Sequence, residues 1–176
     1  TVSPSSTVWV FGDQLNTGIG ALRSATPQTH RILMVESALK CTTRPWHRQR
    51  LHFIVSSMRH FARDLQALGY EVDYVEAPTM SRGLAAHRER FPGTWVTATE
   101  PNSLAARSLL ANLGVETVPS DQFLTPFADF AAWAATRKVL RMEDFYRRQR
   151  MRLGYLMDGN EPVGGQWNFD KENRQP

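Results

Sequence analysis

Three short stretches of this sequence put groups capable of binding chemistry directly after apolar, β-rich runs. They are Phe11-Gly12-Asp13-Gln14-Leu15, Glu36-Ser37 and Glu100-Pro101. Between them they offer carboxylates, a side-chain amide, a hydroxyl and a glycine that admits close backbone approach. Such a set suits a neutral heterocycle bearing hydroxyls, oriented by a few placed hydrogen bonds. Asp13 and Glu36 at strand ends would equally serve as anionic groups at helix N-termini, and on the residues alone both roles stay open. A phosphate-cradling loop is not indicated. No G-x-G-x-x-G follows the first apolar run, no G-x-x-x-x-G-K-[ST] occurs, and Gly18 and Gly20 come too late and too sparsely.

Metal and nucleophile chemistry find little support. The histidines are His30, His47, His52, His60 and His87, and the steps from His47 to His52 to His60 match a helical metal face poorly. His60, beside an apolar stripe, reads as a packed or hydrogen-bonded histidine. The single cysteine, Cys41, forms no internal disulfide, holds no cluster alone, and has no helical His partner to activate it.

Residues of this kind act only if strands and helices bring them together. Apolar, β-rich runs at 7–11 (TVWVF), 31–36 (RILMVE), 72–75, 95–99 and 115–118 read as five strands covered on both faces. Between them, residues 48–68 place Leu51, Ile54, Val55, Met58, Phe61, Ala62, Leu65 and Leu68 at three- and four-residue steps. That is one face of a helix, and Gly69 marks its stop. Residues 82–91 form a weaker helix closed by Pro92-Gly93, and Asn102 or Ser103 caps a helix over 104–113. The alternation predicts an α/β fold: a five-stranded, parallel, doubly wound, Rossmann-like sheet flanked by helices. Its ligand site is expected beyond the carboxyl ends of the strands, where strand order reverses. After the fifth strand come a helix rich in Ala and aromatics at 127–135 and a basic helix at 142–156. An unpatterned stretch from 158 onward carries Trp167 and Phe169 and is expected to be extended and packed.

Composition agrees. At 176 residues, 41% hydrophobic and 22% charged, the chain is globular rather than fibrous, disordered or disulfide-stapled. No apolar run approaches a membrane span. The opening TVSPSST lacks the features of a secretory signal, so a cytoplasmic location and no membrane partner are expected. Net charge is +4, and its distribution is uneven. Residues 1–136 carry 12 Lys/Arg against 11 Asp/Glu, residues 137–152 carry 7 against 2, and residues 153–176 carry 2 against 4. The basic segment is either a solvated helix face or a nucleic-acid contact.

Six separated motifs then point one way: FGDQL at 11–15, MVES at 34–37, HRQRL…SSMRHFARDL at 47–65, RMEDFYRRQR at 141–150, LMDG at 156–159 and PVGGQWNFDKENR at 162–174. In order and spacing they resemble the bacterial photolyase-related flavoproteins that carry an iron–sulfur cluster, a group including (6-4) photolyases and related cryptochromes. The resemblance covers essentially the whole chain. It implies an N-terminal α/β antenna-binding domain over 1–136, with 137–176 as a basic helix and linker toward a helical domain beyond this sequence. That helical domain would hold FAD, a 4Fe-4S cluster and the pocket for damaged DNA.

The antenna, a ribityl-lumazine in this family, carries over onto Gly12, Asp13, Gln14, Leu15 and Glu36, with Phe11, Ser37 and Glu100 beside them at the strand ends. Two departures bear on chromophore affinity: Trp46 stands where the family commonly has a histidine, and the loop 40–45 is not of the usual type. The implied function is light-driven repair of UV pyrimidine dimers by the whole protein, with this part alone not catalytic. The alternatives are a cryptochrome-like photoreceptor without repair and a stand-alone small-molecule-binding α/β module.

Overall fold

The computed structural model describes residues 4–169. They form two compact units that part between Pro126 and Phe127. The first unit is a five-stranded sheet of β1 (Ser6–Val10), β2 (His30–Ser37), β3 (Val72–Ala77), β4 (Trp95–Thr99) and β5 (Glu116–Val118). Every pairing is parallel and the order is β3-β2-β1-β4-β5. Strand order therefore reverses between β1 and β4, as a doubly wound sheet requires. The helices are α1 (Gly20–Arg23), α2 (Ala38–Thr42), α3 (Arg48–Ala67), α4 (Met80–Arg90) and α5 (Leu104–Asn112).

Period-two alternation divides the core. Val8, Val10, Ile32 and Met34 face one side with Leu22 of α1 and Met58, Ala62 and Leu65 of α3. Trp9, Leu33 and Val35 face the other with Leu84 of α4 and Leu110 of α5. Close approach on the second face is set by Gly83, where an added Cβ would lie 2.4 Å from Val35 Cγ1. The helices start on side-chain acceptors: His47 Nδ1 takes the Gln49 N–H, Thr79 Oγ1 takes that of Arg82 and Ser103 Oγ takes that of Ala106. Two short helices escape the periodicity of the sequence. α1 is a single buried turn, and α2 turns residues 40–42, read from sequence as loop, into the end of a helix that Ser37 caps.

At the amino ends of the strands, His87 is fully buried. Its Nδ1 lies 2.6 Å from Asp73 Oδ2 and its Nε2 lies 3.0 Å from Thr7 Oγ1. Thr7 also meets Thr94 Oγ1 at 2.9 Å, and Asp73 Oδ1 meets Arg90 at 2.9 Å. This hydroxyl–imidazole–carboxylate order resembles a nucleophile relay, but no substrate can reach it, so it fastens α4 to β1 and β3 rather than doing chemistry.

The second unit holds α6 (Phe127–Ala135), α7 (Met142–Leu153), a hairpin of β6 (Met157–Asp158) and β7 (Glu161–Pro162), and a 3-10 turn (Val163–Gly165). Phe130, Trp133 and Phe145 stack with centroids 4.9 to 5.8 Å apart. α7 ends at Leu153 rather than running to 156, because Gly154 takes the left-handed conformation (φ 70) after the last turn. The unpatterned stretch after 156 is ordered by α7 itself. The Arg150 guanidinium, 7% exposed, donates to the carbonyls of Tyr155, Leu156 and Trp167 and to the Tyr146 hydroxyl. The final residues of the PVGGQWNFDKENR motif lie outside the described residues. No helix among the described residues is long and apolar enough to cross a membrane.

Candidate functional site

The loop after β1 lies at the carboxyl end of the sheet, beside the reversal of strand order. Phe11 stays on the α4/α5 face and stacks on Trp9, 5.0 Å between centroids. Gly12 then brings the backbone close to α3: a Cβ there would lie 2.9 Å from Met58 Sδ. Asp13 follows, exposed, with one carboxylate oxygen accepting from Asn102 Nδ2 at 3.1 Å. Gln14 turns inward. It is 2% exposed, and its Nε2 donates to the carbonyls of Thr99 at 3.2 Å and Glu100 at 3.3 Å, stitching β1 to β4 across the reversal. Its Oε1 is buried without a partner among the described residues. Leu15 packs back on the α1/α3 core.

Between this loop and α3 opens a cleft of about 740 Å³. Gly12, Asp13 and Leu15 form one wall. Ile54, Phe53 and Phe61 supply apolar surface from α3, and Ser56, Ser57, His52, His60 and Asp64 supply polar groups. Steps of four residues along α3 (52, 56, 60, 64) put these polar groups in a line that faces the loop. The cleft thus has an apolar bed, hydroxyl and imidazole groups, and two carboxylates, with no Lys or Arg in its lining. Neutral ligands rich in hydroxyl or N–H donors suit it, and phosphates do not.

Three of the eight strand-end residues singled out from sequence therefore meet at the cleft: Gly12, Asp13 and Leu15. Phe11 and Gln14 support the loop from behind. Glu36 lies elsewhere. It accepts two hydrogen bonds from Arg59, at 2.9 and 3.0 Å, and one from Tyr74 at 2.7 Å. Burial disfavours its charge, but the hydrogen bonds from Arg59 and Tyr74 and the Arg59 charge outweigh that and hold its carboxyl below the usual range. Burial first, and Glu36 second, push the Tyr74 phenol well up. Ser37 caps α2 and donates to the Pro78 carbonyl, and Glu100 pairs with Arg107 at 2.9 Å. Neither Asp13 nor Glu36 caps a helix; Ser37, His47, Thr79 and Ser103 do.

His60 differs from its sequence reading. It is exposed and lines the cleft rather than packing in the core: the apolar stripe meets the β1 loop through Ile54 and Met58, and His60 lies on the polar edge beside it. Phe53, Ser56, Ser57 and Asp64 are not among the site residues named from sequence, and His52 enters there only as a poor match to a metal face. Among the described residues no group of three His, Cys, Asp or Glu is placed to hold a metal ion.

In the second unit the basic helix uses much of its charge internally. Arg147 pairs with Glu143 at 2.9 Å, Arg152 with Gln149 at 2.8 Å, and Arg150 is buried on the tail carbonyls. Trp167 lies against two guanidinium groups, 5.4 Å from Arg147 and 5.5 Å from Arg150.

Comparison with known proteins gives two findings. A family model described as deoxyribodipyrimidine photo-lyase-related protein matches residues 8–176. A (6-4) photolyase of Agrobacterium fabrum (strain C58 / ATCC 33970) is 36% identical over 184 residues, taking in 98% of this chain and 36% of the relative. The chain thus spans little more than a third of that relative's length.

Proposed function

From the premise that this chain belongs to the deoxyribodipyrimidine photo-lyase-related protein family, we propose that it is the antenna-chromophore-binding part of a light-driven DNA-repair flavoprotein of (6-4) type. The observation that carries this reading is the cleft. It lies at the carboxyl ends of the strands, where the FGDQL loop meets the helix bearing SSMRHFARDL, two of the motifs behind the resemblance.

The lining fits a ribityl-lumazine. Leu15, Ile54 and Phe61 give a flat heterocycle an apolar bed, while Ser56, Ser57, His52 and His60 offer hydroxyl and ring-nitrogen partners to a polyhydroxyl tail. Asp13 accepts from an O–H or N–H of the ligand. Gln14 fixes the loop's register to β4, and Gly12 lets the loop lie close on Met58. When bound, the lumazine supplies light absorption and hands excitation energy to a flavin; this chain's part is to hold it at a set distance and orientation. FAD, the iron–sulfur cluster and the contact with damaged DNA belong, in this reading, to other parts of the full-length protein.

The test is a titration with ribityl-lumazine followed by its absorption and fluorescence. Saturable binding is expected, and Ser57→Trp, which fills the cleft, abolishes it while far-UV circular dichroism is retained. Failure of the wild-type chain to bind, or undiminished binding by Ser57→Trp, refutes the assignment. Repair is tested separately on the full-length protein with (6-4) and cyclobutane lesions. Light-dependent loss of neither lesion refutes the repair reading.

A further inference from the structure

Two residues outside the cleft close a ring of hydrogen bonds around Asp13. Asn102, in the turn before α5, donates from Nδ2 to Asp13 Oδ2 at 3.1 Å and to Gln122 Oε1 at 3.2 Å. Gln122, beyond β5, donates from Nε2 to the Asp13 carbonyl at 2.7 Å. The amide of Gln122 has a defined orientation, since its oxygen faces the Asn102 amide and the buried Ser120 hydroxyl. Next in sequence, Asp121 Oδ2 accepts from the Gly20 N–H at 3.0 Å and pairs with Arg23 at 3.3 Å. Residues 120–122 thus grip both ends of the long β1–α1 loop. Between these grips the loop has short-range bonds of its own, such as Gly18 N–H to Asn16 Oδ1, and one long-range tie, the Gln14 amide on the Thr99 and Glu100 carbonyls.

We propose that Asn102 and Gln122 are positioning residues for the cleft: they fix the Asp13 carboxylate, and thereby select ligands that present a hydrogen-bond donor to it. This rests on the reading that the cleft binds a neutral, donor-rich ligand. Asn102 occupies Oδ2, whereas Oδ1 has no partner among the described residues. One carboxylate oxygen is held and the other is kept for a ligand O–H or N–H. The bonds are exposed, so each is worth a factor of a few to about tenfold. That is too little to decide whether the chain folds, and enough to decide how well a preorganised acceptor meets its donor.

The experiment uses the full chain with Gln122→Leu, Asn102→Ala and Asn102→Asp. Ribityl-lumazine affinity, thermal midpoint and amide exchange at Gln14 and Asn16 are measured for each. Gln122→Leu and Asn102→Ala are expected to weaken binding about tenfold, which corresponds to 1.4 kcal/mol, and to speed ligand-free exchange in the loop by a similar factor. The thermal midpoint should shift only about 2–4 °C.

Asn102→Asp separates positioning from mere support. It places a second carboxylate against Asp13, so at low salt binding weakens more than in Asn102→Ala and recovers toward the Asn102→Ala value as added salt screens the repulsion. Unchanged affinity and exchange in Gln122→Leu overturn the proposal, as does an Asn102→Asp defect that does not respond to salt. If wild-type protein binds no lumazine but loop exchange responds as stated, the clasp stands and the antenna reading falls.

Discussion

Replacing His87 with leucine removes two hydrogen bonds from a site that water does not reach. One is the 2.6 Å contact with Asp73 and the other the 3.0 Å contact with Thr7. Both residues stay paired, Asp73 with Arg90 through Oδ1 and Thr7 with Thr94, although Asp73 Oδ2 gives up the donor it had in His87. The loss is therefore the two bonds themselves: about 1.5–3 kcal/mol for the one to a carboxylate and about 0.5–1.5 kcal/mol for the neutral one. The leucine returns some apolar contact, which leaves a net loss of about 2–4 kcal/mol. For a chain of this length that lowers the thermal midpoint by roughly 5–15 °C. Urea and thermal unfolding followed by far-UV circular dichroism give the number directly. Ligand affinity at the cleft should stay within about twofold, since the network lies at the amino ends of strands whose carboxyl ends carry the cleft. A stability change under about 0.5 kcal/mol would refute the reasoning, because it would mean the buried imidazole contributes no more than an exposed one.

Gly83→Ala gains about 1 kcal/mol of helix propensity but drives a methyl to 2.4 Å from Val35. Overpacking of about 1–3 kcal/mol exceeds that gain, so the variant is less stable, and in denaturant titration Gly83→Ala should cost less in a Val35→Ala background than in the wild type. Glu36 titrates below its ordinary 4.5 in the folded chain. Its stabilisation is therefore complete above that value and is lost as the pH falls through the folded one. The stability gap between wild type and Glu36→Gln should be steady near neutral pH and shrink as the pH falls below 4.5, and a constant gap contradicts the ion-pair assignment. Arg150→Lys keeps the charge but not the fork of donors, so faster amide exchange over 155–169 with α7 intact is expected. Duplex DNA should bind this chain weakly, at roughly 10⁻⁴–10⁻⁶ M, with affinity falling steeply from 50 to 200 mM salt. Tight lesion-selective binding would contradict placing the lesion pocket elsewhere.

The fold was readable where pattern is local. The run RILMVE declares a strand buried on both faces, and the stripe from Leu51 to Leu68 closed by Gly69 declares α3. One wall of the candidate cleft is readable for the same reason: FGDQL follows a strand, and the strand ends of such sheets are where ligand sites are expected. The other wall is not. Its polar lining from α3 has the spacing of any solvated helix edge, and only the packing of Met58 under Gly12 turns that edge toward the loop. Gln14 and Asn102 owe their roles to β4 lying next to β1, a neighbour 85 to 89 residues away in sequence. The sequence groups Glu36 with Asp13 because both stand at the carboxyl ends of apolar runs. The side chain leaves β2 toward Arg59 and Tyr74, and nothing in MVES states that direction.

Arg150 has a bearing on the order in which the second unit assembles. Its backbone acceptors lie 5, 6 and 17 residues downstream, so its guanidinium can leave water only once the tail has arrived. The tail in turn has two-residue strands, far too short to persist as a free hairpin. Burial of the arginine and docking of residues 155–169 are thus a single event, and a substitution that undocks the hairpin also returns the Arg150 guanidinium to water.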